Sequence, residues 1–136
     1  VLAGGAAASP STNATGLQSG LYCRDLAAMG YGFTDAVAYW LAEGAPDRMD
    51  ADRNGIPCET VYPDDYESFL NAAAGIESGL LCADLGLSDD LAGYQTAVAY
   101  WMLEGAPARM DADRNGIPCE TVFSADVVRQ FLNIGG

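Results

Sequence analysis

Hydrophobic and polar positions along this chain fall into a pattern that occurs twice. The run Ala36-Val37-Ala38-Tyr39-Trp40 returns as Ala97-Val98-Ala99-Tyr100-Trp101. Val37, Trp40 and Leu41 stand at i, i+3, i+4 spacing, as do Val98, Trp101 and Met102, so each set predicts one face of a helix. Asp35 and Thr96 precede the runs as expected N-caps. Gly44-Ala45-Pro46 and Gly105-Ala106-Pro107 should end these helices, because Gly takes a left-handed cap and Pro cannot continue. A second amphipathic pattern follows at 64–73 and at 125–133. It turns Tyr66, Phe69 and Leu70 inward in one case and Val127, Val128, Phe131 and Leu132 in the other. Leu26 and Leu85 suggest a short helical turn after an upstream Cys, while Val61-Tyr62 is at most a strand fragment. The expected fold class is mainly α.

The recurrence extends beyond the helices and sets the domain organisation. Ser19-Gly20-Leu21-Tyr22-Cys23 returns as Ser78-Gly79-Leu80-Leu81-Cys82, and the twelve residues from Asp50 to Val61, DADRNGIPCETV, are identical to Asp111–Val122. The second copy carries a short insertion near Ser88–Gly93. A tandem duplication of a helix–loop–helix unit follows, with repeats at 19–74 and 75–136 behind a flexible tail at 1–18. The start of that tail is Ala, Gly, Ser and Thr, with too little apolar surface to offset its ordering entropy. It lacks the charged n-region of an intact signal peptide, and the sequon Asn13-Ala14-Thr15 carries little weight alone.

Charge narrows the chemistry. The 136 residues include 6 Lys+Arg (all Arg), 19 Asp+Glu and no His, for a formal charge of −13. Such a balance argues against nucleic acid and against anionic membrane surfaces, since both need Lys/Arg to neutralise phosphate. No membrane span is expected, because no apolar run reaches the length needed. Without His, the Ser-His-Asp and Cys-His nucleophile arrangements and His-ligated metals are excluded. A hard cation remains attractive.

The duplicated loop has the residues for one. Asp50, Asp52 and Asn54 alternate at positions 1, 3 and 5, Gly55 stands at position 6, and the Ile56 carbonyl is the next expected ligand. An EF-hand loop uses the same alternation and the same sharp turn at Gly. Its bidentate Glu at position 12 is missing, since Val61 stands there, so Glu59 at position 10 is the available substitute. The second loop offers Asp111, Asp113, Asn115, the Ile117 carbonyl and Glu120. Carboxylates and an amide without nitrogen ligands suit Ca²⁺ better than Zn²⁺, and better than Mg²⁺, which keeps its waters. The competing reading is an Asx-rich turn with solvated acids and Gly in a left-handed position; two identical copies favour calcium. Four Cys allow three pairings, and the repeat favours Cys23–Cys58 with Cys82–Cys119, one staple per repeat. Disulfides point to an oxidising, extracellular setting.

The run Asp-x-Asp-x-Asn-Gly-x-x-Cys-Glu with a second Cys upstream resembles the excalibur domain, whose pattern is Asp-x-Asp-x-Asp-Gly-x-x-Cys-Glu. Asn54 and Asn115 stand at the third Asp, which keeps an oxygen ligand and removes a charge. The resemblance covers most of residues 20–71 and 79–133. It implies a bacterial, secreted or cell-surface calcium-binding module, often attached to nucleases or other surface enzymes and without catalytic activity of its own. Two rival classes differ from it. A dockerin-like module would bind a protein partner, with Tyr39-Trp40 and Tyr100-Trp101 as a docking patch if they were not core, but its loops end in an acid near position 12. A two-carboxylate glycosidase would need a recognisable setting for its acids. Glu43 and Glu104 instead end helices, and Asp64, Asp65 and Glu67 read as a solvated face.

Overall fold

The computed structural model describes residues 12–111 and 114–134. Among these, five α-helices follow one another: α1 (Cys23–Ala28), α2 (Phe33–Ala42), α3 (Asp65–Leu70), α4 (Leu91–Leu103) and α5 (Ala125–Leu132). Single 3₁₀ turns stand at Asp47–Met49, Asn71–Ala73, Cys82–Leu85 and Ala108–Met110. The fold is mainly α, and each repeat has its own disulfide, Cys23–Cys58 and Cys82–Cys119. Val61-Tyr62 lies in a turn, and the only β pairing among the described residues is the isolated bridge Thr12–Gln18.

Both expected N-caps lie inside their helices. The N-cap of α2 is Gly32, and Asp35 sits one turn in, its carboxylate accepting the Gly32 N–H at 3.4 Å. In the second repeat the insertion becomes an extra stretch of helix, so Thr96 is interior and its hydroxyl donates to the Ala92 carbonyl. Asp90 is the cap there, accepting the Gly93 N–H at 2.8 Å. Gly93 is required by space: a Cβ would fall 1.9 Å from the Ser88 carbonyl oxygen.

The expected one-sided stripe is also broader than periodicity suggested. Ala36 through Leu41 are all buried, as are Ala97 through Met102, so these middle turns of α2 and α4 are enclosed on every side. The reason is that the repeats share one core. Trp40 and Trp101 pack on each other with ring centroids 5.6 Å apart. Helix α3 packs against both α2 and α4, and α5 does the same. Each repeat adds an equivalent aromatic group: Phe33 with Tyr62 and Phe69, Tyr94 with Phe123 and Phe131. Edge-on ring contacts of this kind add about 0.5–1.5 kcal/mol each beyond burial.

Residues 12–18, within the stretch expected as a tail, make contacts with the fold. These contacts are polar links, which a count of apolar surface does not register. Thr15 is fully buried, and its N–H and hydroxyl both donate to the Asn13 side-chain oxygen Oδ1. Asn13 donates in turn to Glu43 at 2.8 Å, so the sequon side chains are engaged in the fold. The remainder of the expected tail, 1–11, lies outside the described residues.

Candidate metal centre

The loop between α2 and α3 is set by the way α2 ends. Gly44 and Ala45 both take left-handed backbone, Pro46 redirects the chain, and the turn Asp47–Met49 delivers Asp50. Trp40 anchors the entrance by donating its indole N–H to the Pro46 carbonyl at 3.2 Å; Trp101 does the same to Pro107 at 3.1 Å. At the exit, Cys58 donates to the Met49 carbonyl at 2.8 Å and is held by its disulfide to Cys23. Arg53 and Cys58 have positive φ (56° and 61°), as do Arg114 and Cys119 in the second loop (56° and 62°). Left-handed non-glycine residues cost on the order of 1 kcal/mol each and persist where their surroundings over-determine them.

Within this frame, one carboxylate oxygen each from Asp50, Asp52 and Glu59 lies within 4.8 Å of the others. Asp50 is buried, Glu59 half-buried and Asp52 exposed, so the group runs from the loop interior to the surface. The Asp50 carboxylate accepts the N–H of Asn54 at 3.2 Å and of Gly55 at 2.9 Å. Burial pushes the Asp50 carboxyl above its ordinary range against those two N–H bonds, and nearby Asp52 adds to the rise. Burial likewise raises Glu59, the bond from Asn54 opposes it, and the charges of Asp52 and Asp50 reinforce it. Crowded, partly desolvated carboxylates are the surroundings a hard cation would relieve.

Asn54 enters the group by an unexpected route. Its amide NH₂ donates to Glu59 Oε1 at 2.9 Å while its oxygen accepts the Ile56 N–H at 2.9 Å. It thus braces Glu59. Ile56, the expected carbonyl ligand, lines the same cleft of about 380 Å³ as Asp50, Asp52 and Glu59.

The second loop repeats the arrangement. Asp111 accepts from Asn115 at 3.3 Å and Gly116 at 2.8 Å, and Asn115 donates to Glu120 at 2.8 Å and accepts from Ile117 at 2.9 Å. Asp111, Ile117 and Glu120 line a cleft of about 290 Å³. Asp113, the remaining expected ligand, lies outside the described residues.

The acids that sequence reasoning passed over are Glu43 and Glu104. Glu43 accepts from Asn13, Ser19 and the Gly20 N–H, all at 2.8 Å, and pairs with Arg48 at 2.6 Å. Glu104 holds Ser78, Gly79 and Arg109 similarly. Beside each clamp a tyrosine, Tyr39 or Tyr100, donates its hydroxyl to the carbonyl of Gln18 or Glu77 at 2.5 Å. The signal was present: Ser19, Gly20, Tyr39, Glu43 and Arg48 recur as Ser78, Gly79, Tyr100, Glu104 and Arg109. Both Tyr-Trp pairs are buried, which removes them as a docking patch.

Comparison of the chain with protein-family models, with curated proteins and with solved structures finds no match.

Proposed function

We propose that this chain is an exported calcium-binding module that takes two Ca²⁺ ions, one per loop, and serves a structural or docking role at the bacterial surface without catalysis of its own. The observation that supports this reading best is the convergence of Asp50, Asp52 and Glu59 within 4.8 Å. Their loop is stapled by a disulfide, and its hydrogen bonds recur in an identical second loop. Asp50, Asp52 and Glu59 would hold the ion, with Asn54 and the Ile56 carbonyl as further oxygens; Asp111, Asp113, Asn115, Ile117 and Glu120 are their counterparts. Oxygen donors alone, in a chain without His and without free Cys among the described residues, fit calcium rather than a softer metal. The paired disulfides agree with an oxidising compartment, and among the described residues no helix is long and apolar enough to cross a membrane. Any partner, protein or cell-wall, would have to be met by surfaces other than the Tyr-Trp pairs.

A second reading is supported by the Asp50 hydrogen bonds to Asn54 and Gly55, which are also those of an acidic Asx turn that needs no ion. Calorimetric titration of EGTA-treated protein with Ca²⁺ and with Mg²⁺ separates the two. Calcium binding should saturate at two ions with Kd of roughly 10⁻⁵ to 10⁻³ M, between sensor and extracellular sites. Absence of binding heat, or preference for Mg²⁺, would leave the acidic-turn reading in its place.

A further inference from the structure

We propose that the two loops form one coupled unit, in which a change at either loop is passed to the carboxylates of the other. The ion-linked part of this proposal rests on the calcium reading above; the mechanical part does not.

The connection is a closed circuit of backbone. Gly55 donates its N–H to Asp50, and the opposite side of Gly55 lies on the second repeat: a Cβ there would stand 3.0 Å from Gly105 and 3.1 Å from the Ala106 nitrogen. Gly105-Ala106 leads through Pro107 and the turn Ala108–Met110 directly into Asp111. Asp111 accepts the Gly116 N–H, and Gly116 rests on the first repeat, where a Cβ would stand 2.6 Å from the Gly44 carbonyl carbon and 2.9 Å from the Ala45 nitrogen. Gly44-Ala45 then leads through Pro46 and Asp47–Met49 back into Asp50. The contacts are reciprocal, as across a two-fold axis.

The segments of this circuit are stiff. Gly44, Ala45, Gly105 and Ala106 are all held at positive φ. The turns into Asp50 and Asp111 are closed by Met49 N–H to Pro46 and Asp50 N–H to Asp47, with equivalents at Met110 and Asp111. A cleft of about 300 Å³ lies within the circuit, walled by Trp40, Asp50, Gly55, Trp101, Asp111 and Gly116. Side chains cannot cushion a contact made between glycine backbones, so a displacement of Gly116 moves Gly44-Ala45 and, with it, the approach to Asp50.

The test uses the full chain. Amide NMR without metal compares Gly116→Ala with Gly79→Ala, which imposes the same kind of strain (φ +88° against +89°) but whose Cβ meets nothing within 4 Å. Coupling expects Gly116→Ala to shift the resonances of residues 50–59 in the other loop, and Gly79→Ala to leave them in place. Shifts confined to the second repeat and to residues 44–46 would overturn the proposal. Should Gly116→Ala not fold, Glu120→Gln, at an exposed position of the same loop, takes its place in the comparison. Titration with Ca²⁺ supplies the second readout: disabling the second loop by Glu120→Gln should weaken calcium at the first by about fivefold or more, the low end of typical couplings. An unchanged first-loop affinity would refute the coupling and leave the calcium reading intact. A wild-type chain that takes no calcium would refute the calcium reading, and the metal-free spectra would decide the coupling alone.

Discussion

Asn54 and Asn115 hold the position where the excalibur pattern has a third Asp, and their amides do what a carboxylate cannot. Each donates to the loop's glutamate, at 2.9 Å to Glu59 and at 2.8 Å to Glu120, while accepting a backbone N–H with its oxygen. The spacing of Asp50, Asp52 and Asn54 can be read from the sequence alone. The brace cannot, since an amide carries both donor and acceptor and only its neighbours decide which is used. Asn54→Asp therefore has opposite consequences with and without calcium. In EGTA it removes a bond to a charged group and adds a like charge beside Glu59, which should cost about 1–3 kcal/mol. In millimolar Ca²⁺ the added carboxylate becomes a ligand, so the loss should shrink or reverse and first-loop affinity should rise. Thermal unfolding under both conditions measures this. An equal loss in both would make the amide a purely structural brace and would argue against an ion in this loop.

The elements were legible where apolar spacing alone determines them, and less so where a side chain decides an end. Helices α2, α3, α4 and α5 stand where the pattern put them, but the caps moved, because Asp35 works from inside its helix and the insertion extends α4 back to Asp90. The clamp that joins residues 13–21 to the end of α2 was read as two unremarkable helix-ending acids. Glu43 is the stronger of the pair, with its side chain only 8% exposed. Burial alone would raise its pKa, but the bonds from Asn13, Gly20, Ser19 and Arg48 outweigh that and hold it at about 2, against 4.5 for a free glutamate. Glu104 is lowered as well, first by the Gly79 N–H and then by Ser78, and has no counterpart of Asn13. The sign follows from linkage: a depressed carboxylate stabilises the folded state fully above its unfolded pKa, and that contribution fades as pH falls through the folded one. Wild type should exceed Glu43→Gln by about 2–3 kcal/mol at neutral pH, from 1.36 kcal/mol per pKa unit less some screening. The gap should narrow below pH 4.5 and close near pH 2. Urea unfolding of both proteins across that range checks it, and a gap independent of pH would assign the loss to packing. Glu104→Gln should show the same trend with a smaller amplitude.

At the scale of the molecule, duplication was plain from the letters, whereas the way the copies meet was not. Hydrophobic spacing predicts a stripe on each long helix but cannot say that the partner covering it belongs to the other repeat. In the structure Trp40 meets Trp101, α3 reaches α4, α5 reaches α2, and the buried apolar side chains among the described residues form a single cluster. Neither repeat encloses its own long helix. Each is therefore a poor candidate for independent stability, even with its disulfide, because removing the other would expose a Trp and much of α2 or α4 to water. Metal-free protein should accordingly unfold in one cooperative transition, with both repeats losing structure together. Trp40→Ala should cost about 3–5 kcal/mol, the range for emptying a buried aromatic site. That loss should lower hydrogen-exchange protection in α4 as much as in α2. Differential scanning calorimetry with site-resolved exchange makes the measurement in wild type and variant. Two separate transitions, or a protection loss confined to α2, would mean that the repeats are independent domains in contact; a single transition with both helices weakened would establish that the duplicated unit is stable only as a pair.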